Sequence, residues 1–319
     1  MENAAENLNN EIKQVEDTKP TKHTNKELMK IAIKLRHPAE RAMTIVSILF
    51  TLFIFAGLAF GPLYVLLNKA AMHFFTKHTG LSTKVLSIIF GFGGGVGIIL
   101  VLVVIVRITY ENLTFLGQLK AKEMRASDTV YEDICNYYRE RGMKLGMEEL
   151  PPIFLTKSSY KSKVLGVDIR GKNAITLNLA DVVNAEKNDD WLRVKYTICR
   201  RLAQIFLGHY GLGFQVATFM GRLLPLYRQP FSRTMTYSVD RLVQKMMGDE
   251  DVLRAILDSC CDISKYKETD ISKIAESIIK DYSKAESLSK FGANMMADVP
   301  ILPYRLEALI DKSRPGRVL

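Results

Sequence analysis

Two stretches without charge constrain this chain more than any other feature. From Ala42 to Leu67 no Asp, Glu, Lys or Arg occurs, and from Val85 to Val106 there is again none. Each run reaches the roughly 20 residues that an α-helix needs to cross about 30 Å of hydrocarbon. Backbone polar groups find no water in that layer, so a crossing segment must satisfy them internally as a helix. The first run is too long and begins too far along the chain for a cleavable signal peptide, and a second run follows it. The expected layout is a polar, partly disordered tail over residues 1–41 and a transmembrane hairpin over residues 42–108 with spans of about 42–67 and 85–106. A helical connector over residues 109–149 and a cytoplasmic domain over residues 150–319 follow.

The flanking charges set the expected orientation. Lys26, Lys30, Lys34, Arg36 and Arg41 precede the first run, and Arg107, Lys120, Lys122 and Arg125 follow the second, against Lys69, Lys77 and Lys84 between them. This bias places both termini and the main domain in the cytoplasm, in a two-pass protein of the cytoplasmic (inner) membrane. The formal net charge of +10 suits a protein lying against an anionic leaflet. No aromatic-interleaved basic cluster or helix-turn-helix pattern points to nucleic acid. From Lys26 onward, either a basic helix resting on headgroups or a solvated lead-in to the span fits the pattern. Cys135, Cys199, Cys260 and Cys261 form no C-x-x-C pair, which argues against a zinc ribbon or a thioredoxin motif. His73 and His78 lie five residues apart and share no helix face, so the segment from Asn68 to Lys84 reads as an interfacial loop.

The second run contains Gly91-Phe92-Gly93-Gly94-Gly95-Val96-Gly97. Gly91/Gly95 and Gly93/Gly97 are small-xxx-small pairs, which let helices approach closely in lipid. Their contact is either the first span or a second copy of the chain, the latter a homo-oligomer through Gly91 and Gly95. Gly61-Pro62 suggests a kink in the first span.

Beyond the spans, Glu111 to Gly146 reads as mostly helical and Pro151-Pro152 breaks it. Short β-like runs follow at Ile153–Thr156, Val164–Ile169 and Ala174–Leu179, with a hairpin turn at Arg170-Gly171-Lys172-Asn173. Asp189-Asp190 opens a helix from about Trp191 to Leu207, whose apolar Val194, Ile198, Leu202, Ile205 and Phe206 recur at helical spacing, and Gly208 stops it. Further helices are expected around Phe214–Leu226, Thr236–Met247, Asp249–Leu257, Ile271–Ser287 and Pro303–Lys312.

The helix ending at Gly208 carries Arg200-Arg201-Leu202-Ala203-Gln204. This is the frame of H-E-x-x-H, in which two His on one helix face bind Zn²⁺ and the Glu between them is the general base. Arg200 stands at the first His, Arg201 at the Glu and Gln204 at the second His. Around it lie Leu150-Pro151-Pro152-Ile153-Phe154-Leu155, the run Ala174 to Asn178, Ser232-Arg233 with Tyr237-Ser238-Val239-Asp240-Arg241, and Asp298-Val299-Pro300 with Arg305-Leu306-Glu307-Ala308-Leu309. In order and spacing these patterns resemble the integral-membrane zinc metallopeptidases of the HtpX/Ste24-type M48 group. The resemblance implies a mainly α (α+β) fold: a two-helix membrane hairpin plus a zincin-like helical domain with a small β-sheet. It also implies that Ser238 replaces the third zinc ligand, a Glu, that Val299 replaces a closing His, and that Asp240 and Arg241 are retained. His209 fits a position that binds no metal in that family.

Cationic guanidinium neither ligates a cation nor accepts a proton, so no zinc, no catalytic residue and no metal ligand are expected. The degenerate positions are Arg200, Arg201, Gln204, Ser238 and Asp240. Arg201 is then surface-exposed with Arg200 paired to Asp240, or Arg200 and Arg201 bind an acidic peptide or another anion. The chain reads as a pseudoprotease: a membrane-anchored binding, scaffold or regulatory protein with the bilayer and a protein or peptide partner, an active peptidase relative among the candidates. The alternative is an active peptidase with a non-standard site, such as Ser238 with Lys245.

Overall fold

The uncharged runs and the residues that cap them shape the first half of the fold. In the computed structural model, residues 30, 33–122, 124–126, 131–147, 149–157, 164–165, 174–261, 270–283, 292 and 297–318 are described. Helix α1 spans Pro38–Leu67, with Pro38 at its first turn and the His37 ring accepting from the Ala39 N–H as its cap. Helix α3 spans Thr83–Lys122. Both are long and apolar enough to cross a membrane, and both turn large apolar side chains outward, Phe53 and Phe92 among them. The two helices pack against each other. Gly97 makes this possible, because a Cβ there would run into the Leu58 carbonyl oxygen. Gly94 touches Leu63 and Gly93 lies beside Pro62, whereas Gly91 and Gly95 face open space. Of the two pairs in the glycine run, Gly93/Gly97 is the one that meets the first span.

One expectation changes here. The segment from Asn68 to Lys84 is not a loop: α2 fills Lys69–Thr79, capped by the Asn68 side chain and stopped by left-handed Gly80. The second apolar helix runs without a break from the uncharged run into the connector as far as Lys122, with the Arg107–Glu111 pair one turn apart on its surface. The helical connector is therefore in two parts, the end of α3 and α4 (Glu132–Lys144), with strand β1 (Met124–Arg125) between them.

A small sheet follows, in the order β1-β2-β4-β3. Strands β2 (Ile153–Thr156) and β4 (Ala174–Asn178) pair in parallel, while β1 on β2 and β3 (Val164–Leu165) on β4 are antiparallel. Every residue of β2 is buried, and so is β4 up to Leu177, the pattern of a sheet covered on both faces. The turn expected at 170–173 and the tail over residues 1–29 lie outside the described residues. Asn178 caps α5 (Leu179–Asn188), a helix the sequence reading missed, and α5 ends at Asp189, whose positive φ closes the turn.

Helix α6 (Leu192–Phe206) begins where the Leu192 N–H meets Asp190 Oδ1 and packs at the centre of the domain. Its Val194, Ile198, Cys199, Leu202 and Ala203 are buried against α9 (Pro225–Met247) and α10 (Asp249–Cys261). Helices α7 (Leu212–Ala217) and α8 (Phe219–Leu223) replace the single helix expected at Phe214–Leu226, and both lie against α1. Helices α11 (Ile271–Ser283) and α12 (Leu302–Ile310) close the domain. The fold is mainly α with one small sheet.

Candidate functional site

The end of α6 is built like a hook. Gly208 adopts φ +71°, the left-handed conformation that ends a helix at little cost only for glycine. The Gly208 N–H then donates to Ile205 O at 2.8 Å and the His209 N–H to Gln204 O at 3.1 Å, the two bonds of a Schellman cap. This turns the His209 ring back beneath α6. It meets a partner that sequence reading did not find: Glu40, one turn into α1, accepts from His209 Nε2 at 2.9 Å with both side chains buried.

Glu40 gathers the site across the chain. Arg36 Nη1 donates to Glu40 Oε1 at 2.6 Å, and Arg36 Nη2 donates to Leu207 O at 2.5 Å, satisfying one of the last carbonyls of α6. The Ser238 hydroxyl lies within donating reach of Glu40 Oε2 and of Thr234 O, and it accepts from the His37 N–H at 2.8 Å. Burial pushes the His209 imidazole below its usual pKa, and the Glu40 carboxylate opposes that shift. Ser238, expected at the third-ligand position, thus holds the start of α1 and does not line the cavity described next.

Arg200 and Gln204, four residues apart, share one face of α6. With Arg201, His209, Arg222 and Arg228 they line a cavity of about 380 Å³. Asp298 is the one carboxylate among the described residues lining it, and Arg228 holds it with both oxygens engaged. Arg201 is half-buried rather than surface-exposed, with Nη1 donating to Gln204 Oε1 at 2.8 Å. Burial and neighbouring Arg200 push its pKa down to about 10.

The expected Arg200–Asp240 pair does not form. Asp240 faces Arg305 of α12, which donates to it through Nη2 at 2.6 Å and through Nε, while Tyr196 takes a further Arg305 bond. Burial opposes the Arg305 charge, but Asp240 outweighs it and raises the guanidinium pKa. The structure therefore brings Arg200, Arg201 and Gln204 together at the cavity. Ser238 stands behind them through Glu40 and His209, and Asp240 belongs to a separate buried ion pair.

Chemically, the cavity offers donors and positive charge. Zinc takes neutral imidazole, thiolate or carboxylate, and the α6 residues here are two guanidinium groups and an amide. His209 and Glu40 are engaged with each other. These residues do not fit a zinc ion, and among the described residues no group of three His, Cys, Asp or Glu is placed to hold a metal. For a Ser-Lys site, Ser238 is already bonded to Glu40, and exposed Lys245 lies two turns further along α9.

Arg222 and Glu40 carry much of this geometry and were missed in the sequence. Each left a signal: Arg222 is the lone charge between Tyr210 and Tyr227, and Glu40 sits four residues after Arg36 at the mouth of the first uncharged run. Comparison of the chain with protein-family models, with curated proteins and with solved structures finds no match, so the likeness to zinc metallopeptidases rests on the sequence patterns alone.

Proposed function

We propose that this chain is a membrane-anchored binding protein, a pseudoprotease of zincin-like descent that holds an anionic group in its arginine-lined cavity and does not cut it. The observation that carries this reading is the replacement at the α6 face. Guanidinium groups stand where a zinc peptidase has its first ligand and its base, and among the described residues the cavity they line contains one carboxylate, already bound by Arg228. Clustered guanidinium groups are costly to hold in a half-buried site unless an anion or water joins them. They are also the side chains best shaped for bidentate recognition of carboxylate or phosphate. In this reading α1 and α3 cross the cytoplasmic membrane, the domain lies on the cytoplasmic face, and no cofactor is needed.

The test uses the full-length protein in neutral detergent. Thermal unfolding is followed with added inorganic phosphate, and hydrolysis of an unfolded protein substrate is followed with added zinc. Phosphate is expected to raise Tm in wild type but not in Arg200→Gln, with no hydrolysis in either. Chelator-sensitive hydrolysis would overturn the reading and restore the peptidase alternative.

A further inference from the structure

The segment that brings Arg222 to the cavity sits at an unusual height. Ser47 Oγ donates to Thr218 O at 3.1 Å, and the Met220 N–H donates to Thr51 Oγ1 at 3.1 Å. Gly221 packs so closely on α1 that a Cβ there would run into Ser47 Oγ. Tyr227 reaches the Met43 carbonyl. Residues 218–227 are therefore fastened to α1 between Met43 and Thr51, all inside its uncharged run. At about 1.5 Å per residue, Thr51 lies roughly 13 Å along the helix from Ala42. A segment tied there shares the depth of the first turns of the span, the headgroup and upper acyl region of a bilayer.

Its composition suits that depth. Leu223, Leu224 and Leu226 are 58%, 46% and 73% exposed, large aliphatic side chains that the protein covers only in part. Arg222 sits directly before them. An ionisable group at membrane depth is expensive and marks a functional site unless it has a partner. Arg222 donates weakly to His209 O at 3.4 Å and lies over the Phe214 ring, 5.2 Å from its centroid. Its Nε is buried without a hydrogen-bond partner among the described residues, and so is Arg200 Nε. Two guanidinium groups thus converge on one cavity with donors to spare, beside a lipid-facing leucine rim.

Resting on the anion-binding reading above, we propose that the occupant is the phosphate of an anionic lipid headgroup, which enters from the bilayer past Leu223, Leu224 and Leu226. Arg200 and Arg222 grip the phosphate, and the acyl chains remain against the leucines and α1. A free acidic peptide would satisfy the guanidinium groups but would leave the leucine rim unused. Basic pockets between membrane helices on the cytoplasmic side hold lipid headgroups by this chemistry.

The experiment places the full-length protein in bilayer discs of phosphatidylcholine with increasing phosphatidylglycerol and follows Tm. Native mass spectrometry of detergent-solubilised protein counts retained lipid. Wild type is expected to gain Tm with phosphatidylglycerol and to retain the anionic lipid. Arg200→Gln/Arg222→Gln is expected to retain it about tenfold less well, with Tm in pure phosphatidylcholine unchanged or raised, because like-charge crowding is relieved. Arg193→Gln, at an exposed position on α6, should behave as wild type, and a loss as large as that of the double variant would mean a diffuse surface effect and overturn the site. Inorganic phosphate or glycerol phosphate stabilising as strongly as the lipid would remove the lipid from the proposal and leave an anion site. An acidic peptide that displaces retained lipid and stabilises more strongly would assign the cavity to a peptide and overturn it. If none of the three stabilises the protein, the anion-binding reading itself fails.

Discussion

Whether Arg200 is available to a ligand depends on where Asp240 spends its charge, and a double-mutant cycle decides this. Asp240 is 1% and Arg305 5% exposed, joined by two hydrogen bonds, with Tyr196 completing the guanidinium shell. Removing one partner of such a pair strands the other charge in the interior at a cost of about 3–5 kcal/mol. For a domain of this size, at about 2–4 °C per kcal/mol, Asp240→Asn is expected to lower Tm by roughly 6–20 °C. Replacing both partners with apolar residues, Asp240→Leu with Arg305→Met, should recover much of that loss, because no orphan charge is left. Asp240→Asn combined with Arg200→Gln should instead be additive within about 0.5 kcal/mol. The chain's single tryptophan, Trp191, packs against the core at the start of α6 and reports unfolding by fluorescence. Strong coupling of Asp240 to Arg200 and none to Arg305 would refute the assignment and remove the spare donor from the cavity.

Other consequences are simpler to read. Gly97→Ala should push α1 and α3 apart, because its Cβ meets the Leu58 carbonyl, at about 1–3 kcal/mol by thermal unfolding in lipid. Gly95→Ala meets nothing and should stay within about 0.5 kcal/mol; a change of oligomeric state on its introduction would assign that face to a second copy. Burial holds the His209 pKa down, so the stability it confers is complete above the ordinary histidine pKa of about 6.5 and is lost as pH falls through the lower folded value. Between about pH 7 and about pH 5, wild type should therefore lose more Tm than His209→Gln, and equal losses would contradict the buried Glu40–His209 pair.

What could be read from the chain was local. The uncharged runs dictated α1 and the apolar part of α3. The apolar spacing from Val194 to Phe206 and the stop at Gly208 placed α6 within a residue or two, and the β-rich runs located β2 and β4. Helix α2 was missed although its Asn68 cap and Gly80 stop are both in the sequence, because a short stretch between two uncharged runs reads as a loop. Pairings across long separations were not legible. Glu40 and His209 lie 169 residues apart, and Asp240 and Arg305 lie 65 apart. Nothing in either local pattern says which distant charge will meet it. The motif frame placed Arg200, Arg201 and Gln204 at one cavity, since helix geometry alone puts them on neighbouring faces. It did not foresee that the start of the first long apolar helix would supply the carboxylate behind Ser238.

Zinc content tests the central claim most directly. Protein produced with zinc in the medium, purified in detergent and dialysed against a weak chelator, is measured by elemental analysis beside a peptidase with an intact H-E-x-x-H. A cavity lined by Arg200, Arg201 and Gln204 should carry zinc far below one equivalent per chain. Stoichiometric zinc that survives dialysis, and that is lost in a His209→Ala variant, would contradict an anion site and require ligands that the guanidinium-lined face cannot supply.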